Sequence, residues 1–207
     1  MNTHPGLRER KKRRTRETIA SAAHQLFAER GYHATTLPDI ADAADVSTRT
    51  IFAYFPSKED ILFSDFAVMK EALAQALAER PEGEEALETM REFILSSHGM
   101  EKSELDEQLS RCVTSDETLR SHLRARLSQI EELIAAAIAK DIGAPADDLR
   151  PHVVAASLTA AFMVLSERGS SAKPQSPADV EALIDTVITF LRGGLDAVKE
   201  PRTTRRR

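Results

Sequence analysis

Apolar residues recur at helical spacing along nearly the whole chain, and this pattern constrains the fold more than any other feature. Ile19, Ala22, Ala23, Leu26 and Phe27 stand at i, i+3, i+4, i+7 and i+8, the spacing of a helix that buries one face. No segment alternates apolar and polar residues as a half-buried strand does. The pattern therefore predicts an all-α fold of about nine helices. The predicted helices span residues 15–30, 37–44, 48–55, 58–79, 84–98, 103–112, 116–141, 148–168 and 177–199.

Capping signals mark the starts of the second, third and fourth helices. Thr36 precedes Asp39 by three residues, Ser57 precedes Asp60 by three, and Ser47 stands just before the third helix. A hydroxyl at such a position accepts a hydrogen bond from a backbone N–H of the first turn. These signals predict that the first 56 residues form a three-helix unit, in which the second and third helices form a helix-turn-helix.

The residue sizes around the predicted turn fit two crossing helices. Large or small apolar residues face the crossing, and a second set is left pointing outward. The inward set is Ile40, Ala41, Ala44, Val46 and Ile51, closed at the far end by Tyr54 and Phe55. The outward set is Ser47, Thr48, Arg49, Phe52 and Ala53. Small polar groups with one arginine suit the major groove of DNA, although an amphipathic helical hairpin without DNA contacts has the same pattern.

Charge is distributed unevenly. Residues 8–16 carry seven Lys or Arg against one Glu, and residues 201–207 carry four Arg, so the rest of a chain with a net charge of −5 holds −15. A basic arm on an acidic body is typical of phosphate binding, and it is equally typical of a solvated tail. The arm adds Arg14 to the candidate DNA contacts, and residues 201–207 are expected to be a disordered basic tail.

Several other classes of protein are excluded. Cys112 is the only cysteine, so no internal disulfide forms and a reducing cytoplasm is expected. The longest apolar run, from Val153 to Leu165, is too short to cross a membrane. No H-x-x-x-H, C-x-x-C, G-x-S-x-G or phosphate-binding glycine loop occurs, so neither a metal, a cofactor nor an enzymatic activity is expected.

The stretch TTLPDIADAADVSTRTIFAYFPSKEDIL, from Thr35 to Leu62, resembles the DNA-binding signature of the tetracycline-repressor (TetR) family of bacterial regulators, and the preceding ERGYHATT fits the same pattern. The resemblance implies that the helix from Thr48 is the recognition helix. By the same resemblance, the DNA contacts are Thr36, Ser47, Thr48, Arg49, Thr50, Tyr54 and Lys58, to which the outward pattern adds Phe52 and Ala53.

The stretch departs from the family at four positions. Asp45 stands where a turn glycine is common, and aspartate tolerates the left-handed conformation that the turn requires. Pro38 replaces a frequent basic residue and Phe52 a frequent tyrosine, which removes two backbone contacts. The basic arm is expected to compensate by entering the minor groove. Arg49 replaces a frequent glycine and is the best candidate for reading bases.

The last two helices carry apolar stripes that are either protomer core or an interface. The resemblance implies that they pair with those of a second copy in a four-helix bundle. The candidate interface residues are Leu158, Leu165, Leu183, Ile184, Val187 and Leu191.

The resemblance also implies a ligand cavity among helices 84–168, whose filling moves the helix at 58–79. Apolar residues at helical spacing are more often part of a plain core. The candidate lining residues are Met90, Phe93, Leu109, Cys112, Leu127, Ile130, Ile134 and Phe162.

Together these observations predict a DNA-binding domain at residues 1–57, a ligand-binding and dimerisation domain at 58–200, and a tail at 201–207. The expected function is a homodimeric transcriptional regulator that represses from a near-palindromic double-stranded operator and is released by an unidentified small molecule. It is expected in the bacterial cytoplasm, at the nucleoid when bound to DNA. The alternative is a TetR-like scaffold for protein or small-molecule binding without specific DNA reading.

Overall fold

The computed structural model describes residues 6–98, 103–169 and 177–199, and these residues form ten α-helices and no strand. The all-α prediction is confirmed. The helices are α1 Leu7–Arg30, α2 Leu37–Ala43, α3 Thr48–Tyr54, α4 Lys58–Leu62, α5 Ser64–Glu79, α6 Ala86–His98, α7 Glu104–Ser115, α8 Glu117–Ile142, α9 Arg150–Gly169 and α10 Pro177–Lys199. None of these helices is long and apolar enough to cross a membrane within the described ranges.

By its internal contacts the chain divides into two compact units. Unit 1 comprises Met1–Val68 with Lys102–Arg124, and unit 2 comprises Met69–Glu101 with Ala125–Arg207. The domain boundaries predicted from the sequence assign α7 to the segment 58–200. In the structure α7 packs on α1, because Val113 shares the apolar core of unit 1.

The core of unit 1 lies at the predicted helix crossing. Ile40 of α2 and Ile51 of α3 are both fully buried, and they pack in one cluster with Ile19 and Phe27 of α1 and with Phe55. The inward set expected from the sequence is therefore confirmed around the turn. Burying a large apolar side chain contributes about 1.5–3 kcal/mol. At seven residues each, α2 and α3 are too short to be stable alone and depend on this packing.

The single helix predicted at 58–79 is wrong, because the chain breaks at Phe63 into α4 and α5. The break leaves carbonyl groups at the end of α4 without helical partners. Nε2 of His24, a buried residue of α1, lies 3.0 Å from the carbonyl oxygen of Ile61 and 3.2 Å from that of Leu62. Since both partners are acceptors, this nitrogen carries the proton and donates to them. A side chain of α1 thus satisfies the end of α4.

A further contact ties the start of α8 to the loop after α1. Nε2 of the exposed His33 lies 2.5 Å from Oδ2 of Asp116, and Oδ1 of Asp116 accepts a hydrogen bond from the backbone N–H of Leu119. The hydrogen bond from His33 holds the pKa of Asp116 below its usual value. Asp116 therefore caps α8 while it holds the loop that follows α1.

Unit 2 joins α6 to α10 through charge as well as apolar contact. Nε of Arg91 on α6 donates to Asp185 of α10 at 2.5 Å, and Arg192 of α10 donates to Glu85 and Glu88 at 3.0 and 3.1 Å. Beneath these pairs the unit has its own buried apolar residues. They include Leu73, Leu87, Ile134, Ile138, Ile184 and Ile188.

Candidate nucleic-acid interface

A capping box fixes the start of α2. The hydroxyl of Thr36 accepts from the backbone N–H of Asp39 at 3.3 Å and donates to the Asp39 carboxylate at 2.5 Å, while the carboxylate accepts from the Thr36 backbone N–H at 2.8 Å. These hydrogen bonds from Thr36 lower the pKa of Asp39. Thr36 is exposed, as a residue that contacts phosphate must be, but its hydroxyl proton is already donated within the protein.

The turn between α2 and α3 depends on a left-handed residue. Asp45 has φ +52°, and it is the only residue other than glycine with a positive φ in the described ranges. The backbone N–H of Val46 then reaches the carbonyl of Ala41 at 2.9 Å and closes the turn. The expected conformation of Asp45 is confirmed, because aspartate is one of the few side chains that tolerate this region.

Two hydroxyl groups hold the start of α3. Ser47 accepts from the backbone N–H of Thr50 at 3.0 Å, and the two side-chain oxygens lie 2.7 Å apart. Ser47, Arg49, Phe52 and Ala53 are exposed, with Phe52 at 56%. The remaining candidates on this helix, Thr48, Thr50 and Tyr54, are partly buried.

The opposite side of α3 is anchored in the core of unit 1. Ile51 is fully buried and Phe55, which ends the helix, is 1% exposed. The guanidinium carbon of Arg16 lies 4.6 Å from the centre of the Phe55 ring, a cation–π distance. The basic part of α1 therefore ends beside the C-terminal end of α3.

Lys58 makes contacts that the sequence did not predict. Its Nζ donates to the carbonyl oxygens of Tyr32 at 2.8 Å and Thr35 at 2.9 Å, and it lies 4.1 Å from the centre of the Tyr32 ring. An ammonium group has three N–H donors, so one is left for a phosphate. Lys58 is thus engaged in holding the loop between α1 and α2 to the start of α4.

The basic arm is helical, which the sequence analysis did not expect. The predicted first helix began at residue 15, but α1 begins at Leu7 and includes the whole basic run. Arg14 lies within this part of α1 and is exposed.

The candidate interface residues of α9 and α10 divide between core and surface. Leu158, Ile184 and Leu191 are buried inside unit 2, Val187 is half-buried, and Leu183 is 36% exposed. The side chain of Leu165 lies outside the described residues. Other exposed apolar residues in or next to α9 and α10 were not selected from the sequence, because the apolar pattern of a helix does not show which residues face its own core. They are Leu149, Val153, Val164 and Phe190.

The candidate cavity residues are not gathered at one place. Met90, Ile130 and Ile134 are buried in unit 2, and Phe93 and Leu127 are half-buried there. Leu109 and Cys112 instead pack on the core of unit 1, and the side chain of Phe162 lies outside the described residues.

Two cavities in unit 2 are lined by other residues. One of about 660 Å³ lies at the turn between α5 and α6, with Leu77, Leu87, Ile138 and Leu195 among its walls. One of about 330 Å³ lies between α9 and α10. The described part of the chain contains no group of three or more His, Cys, Asp or Glu side chains placed to hold a metal ion.

Comparison with protein families matches most of the chain. Residues 19–64 match the family model of bacterial regulatory proteins of the tetR family, and residues 84–196 match that of the MftR C-terminal domain. The first match covers α2 to α4 and the C-terminal half of α1, and the second covers α6 to α9 and most of α10.

Individual proteins give the same result. The chain is 32% identical over 188 residues to the HTH-type transcriptional regulator TcmR of Streptomyces glaucescens, which covers 86% of this chain and 82% of TcmR. It is 37% identical over 91 residues to the HTH-type transcriptional repressor KstR2 of Rhodococcus jostii, 40% of this chain and 45% of KstR2. The fold is similar to that of NalD, the secondary repressor of the MexAB-OprM multidrug efflux pump in Pseudomonas aeruginosa, with a TM-score of 0.58 at 21% identity over 87% of this chain and 96% of NalD. The chain therefore belongs to the TetR family of bacterial regulatory proteins, and it is a DNA-binding transcriptional regulator, not an enzyme.

Proposed function

We propose that this regulator is a homodimeric repressor that reads a near-palindromic operator with α3 and is released by a small molecule. The observation that carries the proposal is the presentation of α3. Its inner side is fixed by the buried Ile51 and Phe55, while Arg49, Phe52 and Ala53 are exposed on the same short helix. A rigid helix with one free arginine near its N-terminal end is suited to the major groove.

Arg49 is the residue we assign to base reading. Its guanidinium is exposed, and it can pair with O6 and N7 of a guanine, the commonest specific contact in the major groove. Phe52 supplies an apolar group of the kind that packs on a thymine methyl. The hydrogen bond between the Ser47 and Thr50 hydroxyls fixes the first turn of α3. This turn is therefore already ordered before Arg49 binds a base.

Contacts with the DNA backbone are assigned to a different set of residues. Tyr54 keeps a hydroxyl at the far end of α3, and Lys58 keeps one N–H for a phosphate. Arg14 adds a charge from the basic part of α1. Such contacts fix the register of the protein on DNA without selecting sequence.

The exposed apolar side chains of α9 and α10 support a homodimer. Val153 is 61% exposed and Phe190 is 76% exposed, and both line the 330 Å³ groove between the two helices together with Gly194. We assign this groove to a second copy of the chain, whose own Phe190 can fill it by two-fold symmetry. Two copies place two α3 helices on two half-sites, which matches a near-palindrome.

Release by a small molecule is supported by the cavity at the turn between α5 and α6. Its 660 Å³ falls within the range of about 300–1,000 Å³ that is usual for small-molecule sites. The walls combine buried apolar residues with the ion pair of Arg80 and Asp141. The repressor role is further supported by KstR2, a named repressor that is 37% identical to this chain over 91 residues.

The decisive experiment is a base-by-base affinity measurement with Arg49 variants. An operator is first sought in the DNA upstream of the gene, and fluorescence anisotropy then measures binding to it and to duplexes with single base changes. Arg49→Ala should weaken binding by about 5–150-fold, equivalent to about 1–3 kcal/mol, and should lose discrimination at one base position. Arg49→Lys should keep the charge but lose most of that discrimination.

Arg111→Ala is the matched control, because Arg111 is also an exposed arginine and lies on α7. It should leave both affinity and sequence preference unchanged. If Arg49→Ala behaves like this control, base reading by α3 is refuted, and the scaffold alternative without specific DNA reading gains support.

A further inference from the structure

The first part of α1 is a helix without tertiary support. Twelve residues of α1 precede Ile19, which is the first buried residue of the helix. Every residue from 7 to 14 is exposed, and Leu7 is 70% exposed. Packing against unit 1 therefore does not stabilise residues 7–14. These residues and the partly buried Thr15 and Arg16 are called here the basic extension, which comprises residues 7–16.

Charge opposes the helix of the basic extension. Arg10 and Arg14 stand four residues apart on one face, as do Lys12 and Arg16, and like charges at this spacing destabilise a helix. Cations at a helix N-terminus also oppose the helix dipole. Arg13 makes one ion pair, with Glu17 at 3.5 Å, and both side chains are about two-thirds exposed. Lysine and arginine have high intrinsic helix propensity, but the positions of their charges in this segment destabilise the helix.

A sequence that breaks a local rule without an internal compensation often does so at a functional site. We propose that the basic extension binds the phosphate backbone of duplex DNA that flanks the half-site under α3, and that the phosphates neutralise the repulsion and complete its helix. The inference rests on the proposed DNA reading by α3. The contact of Arg16 with the Phe55 ring joins the basic extension to α3, because Arg16 is the last residue of the extension and Phe55 ends α3.

The helical form decides which part of DNA the extension contacts. An α-helix with its side chains is about 10–12 Å across, whereas the minor groove is about 6 Å wide. The entry of an extended arm into the minor groove, as the sequence led us to expect, is therefore incompatible with this helix. Ten residues at 1.5 Å each span about 15 Å, so the contact extends over about four base pairs beyond the half-site.

The chemistry of the extension favours DNA over an acidic protein. Seven cations against one Glu lie within these ten residues, and Leu7 is the only large apolar side chain among them. Without an apolar face the segment lacks the anchor that a protein-binding helix uses. Duplex DNA presents about one negative charge per 1.7 Å of its axis, which a segment of this charge density can match.

Salt dependence tests the proposal directly. Lys11→Gln with Lys12→Gln removes two charges from the extension, and Arg111→Gln with Arg124→Gln removes two exposed charges elsewhere as the matched control. For each protomer that engages DNA, the first pair should reduce the slope of log K against log salt by about two, at about 0.9 per lost phosphate contact. The control should keep the wild-type slope. Equal slopes for the two double variants would overturn the proposal.

Arg10→Glu separates DNA binding from a merely structural role. The new carboxylate stands near the helix N-terminus and four residues before Arg14, so it should stabilise the helix and slow amide exchange of residues 7–16 in the free protein. The same change should weaken operator binding several-fold. A variant whose helix is stabilised and whose DNA affinity is unchanged or increased would also refute the proposal.

A further experiment tests base reading by α3 and DNA binding by the basic extension separately. The wild-type protein is tested on the operator and on a scrambled duplex of equal length, and on operators with and without six flanking base pairs at each end. Loss of the preference for the operator refutes the proposed reading by α3. A retained preference with no gain from the flanks refutes the proposal for the basic extension alone.

Discussion

Nζ of Lys58 donates a hydrogen bond of 2.8 Å to the backbone carbonyl of Tyr32, 26 residues earlier in the chain, and lies above the ring of the same residue. A second bond reaches the carbonyl of Thr35. The start of α4 and the loop between α1 and α2 are thereby joined by one side chain. Since α3 lies between these segments in the sequence, the hydrogen bonds of Lys58 help to hold α3 in position.

Lys58→Ala should destabilise unit 1. A hydrogen bond to a charged group contributes about 1.5–3 kcal/mol when buried, and Lys58 is only partly buried, so the expected loss is about 1–2 kcal/mol. Both tyrosines, Tyr32 and Tyr54, lie in unit 1 and the chain has no tryptophan, so urea unfolding followed by tyrosine fluorescence reports on this unit. Unchanged stability with a lower salt slope for DNA binding would instead identify Lys58 as a phosphate contact only.

Tyr32→Phe should remove most of the alkaline sensitivity of unit 1 that burial of this residue creates. The Tyr32 hydroxyl is buried with no hydrogen-bond partner of normal geometry among the described residues. Burial raises the pKa of Tyr32 well above its usual value, and the nearby Glu59 carboxylate acts in the same direction. The unfolded state then loses the proton first, so stability is complete below about pH 10 and falls as the pH rises above it.

The measurement for Tyr32→Phe is the urea midpoint by far-UV circular dichroism at pH 8 and pH 11. At pH 8 the variant should be as stable as the wild type or more stable by up to about 1 kcal/mol, because the buried hydroxyl that is removed has no hydrogen-bond partner of normal geometry. At pH 11 the advantage of the variant should grow. An equal loss of stability in both proteins between the two pH values would contradict this account.

Local chemistry explains which parts of the fold could be predicted from the sequence. The caps at Thr36, Ser47 and Ser57 were predicted correctly, because each depends on a residue three positions away. The break at Phe63 was missed, because no glycine or proline marks it and the buried His24 that satisfies the end of α4 comes from another helix.

Long-range packing explains what could not be predicted. Leu158 and Leu191 are core residues of unit 2, whereas Phe190, the direct neighbour of Leu191, is exposed. The periodicity of α10 identifies an apolar helix but does not say which of two adjacent apolar residues faces the same chain. In the same way, Cys112 of α7 packs on the core of unit 1, which only the tertiary contacts reveal.

Substitution of Asp45 should follow the cost of a left-handed backbone. Asp45 has φ +52°, a region that is difficult for residues with a Cβ and most difficult for β-branched ones. Asp45→Gly should leave the stability of unit 1 unchanged or raise it by up to about 1 kcal/mol, whereas Asp45→Val should lower it by about 1–2 kcal/mol. Urea midpoints that fall from the glycine variant to the wild type to the valine variant would support the left-handed turn at Asp45. A valine variant as stable as the wild type would contradict it.

Phe190→Glu should convert the proposed dimer into a monomer without unfolding it. Phe190 is 76% exposed in the protomer, so a charge there is solvated in the free chain but would be desolvated in a two-fold interface, where the second copy presents the same charge. Analytical ultracentrifugation should show a lower mass for this variant, and operator affinity should fall with it. Val68→Glu, a change at a 59% exposed valine of α5, serves as the control and should remain dimeric. A dimeric Phe190→Glu protein would exclude this surface as the interface.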